Sequence, residues 1–108
     1  MRSSEQNFPN FLTDILRLDS GCDCAIINSG VFRSNKLFSA GIFTMGDIRF
    51  ILPYEDSIMK IRLTGKQLWL ALENGVSTYP TLDGRFLAVS FYKYFHLQII
   101  GFWVKFFF

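Results

Sequence analysis

Few side chains in this sequence can do chemistry, and the best candidates gather where an apolar run breaks off. Cys24-Ala25-Ile26-Ile27 gives way to Asn28-Ser29-Gly30 and then, after Val31-Phe32, to Arg33. An amide both donates and accepts, so Asn28 suits the edge of a heterocycle, and a guanidinium such as Arg33 suits a carboxylate, a phosphate or a ring face. Tyr54 adds an aromatic surface that can stack. Each has a structural alternative: Asn28 bracing the turn, Arg33 solvated in a loop, Tyr54 covering the end of a helix. Catalysts are scarcer. Ser29 stands in Asn-Ser-Gly rather than in G-x-S-x-G, and His96 is the single histidine, so no dependable base activates a hydroxyl. No H-E-x-x-H or D-x-H motif and no Gly-rich loop ending in Gly-Lys-Ser/Thr is present. Cys22 and Cys24 form one C-x-C pair with no second pair, too few ligands for a zinc knuckle, and read as a buried thiol and an incidental one.

The candidate residues need a scaffold. Asp23 to Ile27 is short, branched and uncharged after its first residue, as a strand buried on both faces should be, and Asn-Ser-Gly after it is turn chemistry. Ahead of it, Asn7 is a candidate N-cap with Pro9 in the first turn, and Phe8, Phe11, Leu12, Ile15 and Leu18 form an apolar stripe that places Asp14 and Arg17 toward the other side. That helix should end at Gly21. Thr44 and Asp47 open a helix of about two turns that Pro53 closes. Ile58 to Leu63 reads as a strand with an exposed side, and Thr64-Gly65-Lys66-Gln67 starts a helix carrying Leu68, Leu72 and Val76 on one line. Ser77 to Gly84 is a loop, and Arg85 to Ser90 a strand.

Composition narrows the function. The chain has 108 residues, half of them hydrophobic, with thirteen phenylalanines and a net charge of +2. That fits one small domain and excludes a disordered segment. Its basic residues are scattered singly, so there is no footprint for nucleic acid. No apolar stretch follows the charge at the N-terminus, so no secretory signal is expected. From Phe91 to Phe108 half of the residues are aromatic and no helical or strand period holds. Lys105 and Gln98 interrupt the stretch before the roughly 20 apolar residues that a membrane crossing needs, which disfavours a membrane partner. Residues 91–108 are read as a divergent aromatic tail, with an aberrant coding end preferred over a buried strand or a peripheral anchor.

The ordered residues carry a resemblance. Glu5-x-Asn7-Phe8-x-Asn10-Phe11-x-x-Asp14, Asp23-x-Ala25-x-Ile27-Asn28-Ser29-Gly30-x-x-Arg33, Gly46-Asp47-x-x-x-x-Leu52-Pro53-Tyr54, Leu63-Thr64-Gly65-x-x-Leu68-x-x-Ala71-Leu72-Glu73-x-Gly75-Val76 and Gly84-Arg85-Phe86-Leu87-x-Val89-Ser90 follow one another across residues 5–90. In that order they resemble the opening half of the C-terminal, substrate-recognition domain of the 5'-nucleotidase family, which also includes UDP-sugar hydrolases and cyclic-nucleotide phosphodiesterases. The resemblance implies an α+β fold, a mixed sheet with packed helices.

It also implies roles. Asn28 and Arg33 match residues that contact the bound nucleotide, Gly30 allows the backbone close to the ligand, and Tyr54 stands where the family usually has a Phe on one side of the base. The expected ligand is a nucleoside monophosphate or nucleoside. Two divalent metal ions and the hydrolysis itself are assigned to an N-terminal metallophosphatase domain that these residues do not match, and the second aromatic of the base clamp and a later acidic contact also lie outside the match. The chain by itself is expected to bind rather than cleave. A non-catalytic nucleoside-binding module and a fragment that needs a partner chain are the alternatives. Two departures stand out: Pro9 replaces a common Gly, and Val31-Phe32 replaces a small Gly-Ile pair and is expected to crowd the ligand loop. Cellular compartment is not legible.

Overall fold

The computed structural model describes residues 2–34, 36–91 and 102–107. Its centre is β1 (Cys24–Asn28), whose first four residues are all buried. Alternation along the strand sends Ala25 and Ile27 into one apolar cluster with Leu16, Val31, Phe32 and Ile51, and Cys24 and Ile26 into another with Leu68. Two cores on opposite faces of one strand explain why its sequence is a continuous apolar run instead of an alternating one.

Helix α1 (Asn7–Ser20) and the short α2 (Met45–Ile51) supply the first cluster, and α3 (Gly65–Val76) supplies the second. The sheet between them runs β2 (Ile58–Leu63), β4 (Phe102–Phe107), β1, β3 (Leu87–Phe91). β1 pairs parallel with β4 and antiparallel with β3, placing Ile26 opposite Val89, while β2 runs antiparallel to β4. This is the expected α+β architecture with a mixed sheet. β4 falls where the sequence shows no period; a strand inside a sheet needs no alternation, so periodicity alone does not reveal it. Residues 92–101, His96 among them, lie outside the described residues.

Two helix starts follow from their caps. Thr44 and Thr64 each accept the backbone N–H three residues on, while Asp47 and Gln67 reach back to the threonine N–H at 2.8 Å, completing a capping box at each helix. Gly21 takes the left-handed conformation at φ 61°, and its N–H and that of Cys22 close the end of α1.

The start and the inward face of α1 differ from the sequence expectation. Gln6, not Asn7, occupies the cap position, without a side-chain bond. Pro9, Thr13 and Leu16 are the buried residues, whereas Phe11, Ile15 and Leu18 are exposed. The cause is polar. Thr13 is fully buried because its hydroxyl donates back to the Pro9 and Asn10 carbonyls. Asp14 and Arg17, expected to face away, both engage Ser90 of β3: the Ser90 hydroxyl donates to the Asp14 carboxylate and accepts Arg17 Nε–H at 2.9 Å. This bridge turns the aromatic stripe partly outward, leaving Phe8 and Leu12 to pack against the core.

Replacing Thr64 by Ala removes one capping box and should cost about 1 kcal/mol, read by urea unfolding. A second expectation concerns Cys24, whose thiol is pushed up to about 12, first by burial and then by the neighbouring Cys22. The unfolded chain ionises this thiol from its ordinary value of 9.0, while the folded chain keeps it protonated. Stability is therefore fully present below pH 9 and should fall as pH rises toward 12. A Cys24→Ala variant should show a flatter alkaline limb in pH-dependent unfolding.

Candidate functional site

The sequence-predicted residues cluster at the C-terminal end of β1 because three main-chain bonds pin the loop there. Ser29 N–H donates to the Phe86 carbonyl at 2.7 Å, Gly30 N–H to the Gly84 carbonyl at 2.8 Å, and Arg33 N–H to the Ile51 carbonyl at 2.9 Å. Between them Ser29–Val31 makes one 3₁₀ turn. The first two bonds tie the loop to the segment leading into β3. The third ties it to the last residue of α2, from which Pro53 and Tyr54 follow.

That tie brings Arg33 and Tyr54 together, with the guanidinium carbon 5.4 Å from the centre of the tyrosine ring. Arg33 also lines a cavity of about 440 Å³ with Arg2, Ser3, Ser29, Phe32, Ser34 and Leu82. Arg85 pairs with Asp83 at 3.1 Å, and among the described residues neither Arg2 nor Arg33 has a carboxylate at salt-bridge distance. Two cations beside a polar cavity favour an anion. Asp83 is the acid whose charge is coupled to Arg2. Its carboxyl is held below the usual range, first by the Arg85 backbone N–H at 2.8 Å, with the Arg85 side chain and the charge of Arg2 contributing.

Asn28 and Gly30 form a second pair beside the cavity instead of within its wall. A methyl on Gly30 would lie 3.0 Å from Asn28 Nδ2 and 3.4 Å from the Gly84 Cα, so the glycine is used where two backbones and an amide crowd together. Asn28 makes no side-chain cap hydrogen bond to the turn that follows. Ser29 is buried, and its hydroxyl faces the Asp83 and Gly84 carbonyls at 3.3 Å, a structural use of that group.

Phe32 departs from expectation in a useful direction. It is buried, contacts Phe8 edge-on with centroids 6.2 Å apart, and belongs to the core. The bulky ring therefore forms a wall of the cavity from below and does not stand over the loop. Sequence reasoning missed Arg2, Ser34 and Leu82. Ser34 was signalled only by following Arg33; it is buried and accepts the Lys36 N–H at 3.0 Å. Leu82 comes from a distant loop, which no local pattern announces. Ser34 also borders a larger, mainly apolar hollow of about 650 Å³ whose lining includes Phe8, Phe11, Phe38 and Phe43. No group of three or more His, Cys, Asp or Glu gathers among the described residues, so they do not fit a two-metal centre.

The described residues thus form a mixed sheet with helices packed on both faces and a cavity at the end of β1 that Arg2 and Arg33 help to line. The sequence model of the 5'-nucleotidase, C-terminal domain family matches residues 1–106, and the chain belongs to that family. It is similar to the trifunctional nucleotide phosphoesterase protein YfkN of Bacillus subtilis (strain 168), with 31% identity over 98 residues, 87% of this chain and 7% of that protein. Its fold is similar to the crystal structure of the 5'-nucleotidase precursor from Thermus thermophilus, with a TM-score of 0.84 and 26% identity, covering 98% of this chain and 26% of that one. The chain thus spans a small part of the length of both relatives.

The crowding of Gly30 on Gly84 makes a sharp prediction. A Cβ on Gly84 would lie 3.0 Å from the Gly30 Cα, a backbone atom with no rotamer to escape into. Gly84→Ala should lower the thermal midpoint by several degrees, with loss of about 1–3 kcal/mol.

Proposed function

We propose that this chain is the nucleotide-recognition part of a 5'-nucleotidase-like phosphoester hydrolase in nucleotide catabolism, holding a nucleoside monophosphate or nucleoside and inactive by itself. The observation that carries this reading is a pair of arginines, Arg2 and Arg33, at one cavity beside the loop that ends β1, neither with a carboxylate at salt-bridge distance among the described residues. Family membership and the nucleotide phosphoesterase named among its relatives support the choice of a nucleotide as the anion.

In this reading Arg33 and Arg2 pair with the phosphate, for which a planar guanidinium offers parallel N–H donors. Ser34, whose oxygen already accepts a backbone N–H, keeps its proton for a ligand oxygen. The Asn28 amide meets polar edges of the sugar or base, over the close-packed backbone of Gly30. The chain's contribution is placement of the substrate, which lowers the entropic part of a barrier without making or breaking a bond. Bond cleavage belongs to a metallophosphatase domain as partner, carrying two divalent ions.

Titration calorimetry of the purified chain with AMP tests the reading. Binding should weaken by about tenfold in Arg33→Met, the loss expected for a charged hydrogen-bond donor. Arg33→Lys should fall between the two. Phosphate release from AMP or UMP with zinc, manganese or magnesium should stay at background; turnover that disappears in Arg33→Met would overturn the inactivity of the isolated chain.

A further inference from the structure

An acid stands one residue from the wall of the arginine-lined cavity, close enough to cancel the charge that an anion would seek there. We propose that Arg85 prevents this: it holds the Asp83 carboxylate to itself and so leaves Arg2 available to an anion. Arg85 is then a positioning residue, setting the affinity for a phosphate through Asp83 and Arg2 without touching the ligand. Its consequence for phosphate rests on the nucleotide-recognition reading above.

Four observations carry it. Leu82 lines the cavity with Arg2, and the Ser29 hydroxyl in the same wall faces the carbonyl of Asp83, the next residue, at 3.3 Å. One oxygen of the Asp83 carboxylate accepts two bonds from Arg85, the backbone N–H at 2.8 Å and Nε–H at 3.1 Å. The same guanidinium also donates to the Ser77 hydroxyl at 3.2 Å, which in turn donates to the Asn74 carbonyl at 2.8 Å, so Arg85 is tethered to the end of α3. Finally, the charge of Arg2 favours the ionised form of Asp83 although no carboxylate lies at salt-bridge distance from Arg2 among the described residues.

Two arginines therefore compete for one acid. The Arg85 and Asp83 side chains are 42% and 38% exposed, so attraction alone holds them weakly. The tether to Ser77 decides the contest, because an arginine already fixed beside the carboxylate has less rotamer freedom left to lose. Without the Arg85 side chain, Arg2 is the remaining cation coupled to Asp83, and a phosphate would first have to displace the carboxylate from it.

Titration calorimetry of the whole chain with AMP and with adenosine tests this. Arg85→Met should weaken AMP about two- to fivefold, the value of the exposed ion pair that phosphate must now break, with adenosine nearly unchanged. Adding Asp83→Asn should return AMP to the wild-type affinity or above. An unchanged ratio of the two affinities in Arg85→Met would overturn the proposal. Equal weakening of both ligands that persists in the double variant would do the same, leaving Arg85 a brace of the loop. A second measurement needs no ligand: in urea unfolding at neutral pH, Arg2→Met should leave the wild-type equilibrium nearly unchanged but shift that of Arg85→Met about two- to fivefold toward the unfolded chain, since only there does Arg2 hold Asp83. No such difference also counts against the role of Arg85. The difference in a folded chain that binds neither AMP nor adenosine at millimolar concentration would support the guarding of Asp83 by Arg85 and overturn the nucleotide reading alone.

Discussion

Everything in this domain follows from burying β1 on both faces. A strand with apolar clusters above and below has no room for a polar side chain along its length. Polar groups can appear only where the strand stops, and there the backbone must still find hydrogen-bond partners. The chain solves this by leading β1 directly into a 3₁₀ turn whose N–H groups are taken up by the segment before β3 and by the end of α2. Burial in the middle thus leaves polar side chains to gather at one end.

The same arrangement explains a division between shape and charge. Side chains such as Phe32, Val31 and Ile51 are consumed by the core beneath the loop. Those of Arg2 and Arg33 remain without a carboxylate partner at salt-bridge distance among the described residues. Leaving a cation unpaired at the surface costs little when water solvates it, and it is available when an anion arrives. The buried polar groups are different: Thr13, Ser29 and Ser90 all have hydrogen-bond partners and serve structure. The hydroxyls of Thr13, Ser29 and Ser90 are thus spent on the fold, whereas the guanidinium of Arg33 is exposed.

Much of this was legible in the sequence because it depends on local physics. The apolar run of β1, the Thr-initiated starts of α2 and α3 and the glycine end of α1 each have a signature within a few residues. The facing of α1 was not legible, because hydrophobic periodicity cannot foresee that Ser90, more than seventy residues away, would hold Asp14 and Arg17 inward. A strand at β4 was the less favoured reading for a related reason, since an interior strand made largely of aromatics has no alternation to detect. Of the site, Arg33 and the loop around it stood out by residue type, whereas Arg2 and Leu82 join it only through the fold.

The three amide bonds that anchor the loop through Ser29, Gly30 and Arg33 have one more consequence. Every amino acid except proline carries the hydrogen they use, so the frame of the cavity is largely indifferent to which side chains decorate it. Apart from the crowded glycines, this lets the chemistry at the rim be rewritten one residue at a time while the outline persists. A rim of this kind can pass between related proteins with its scaffold encoded in the main chain and its chemistry in a handful of replaceable side chains.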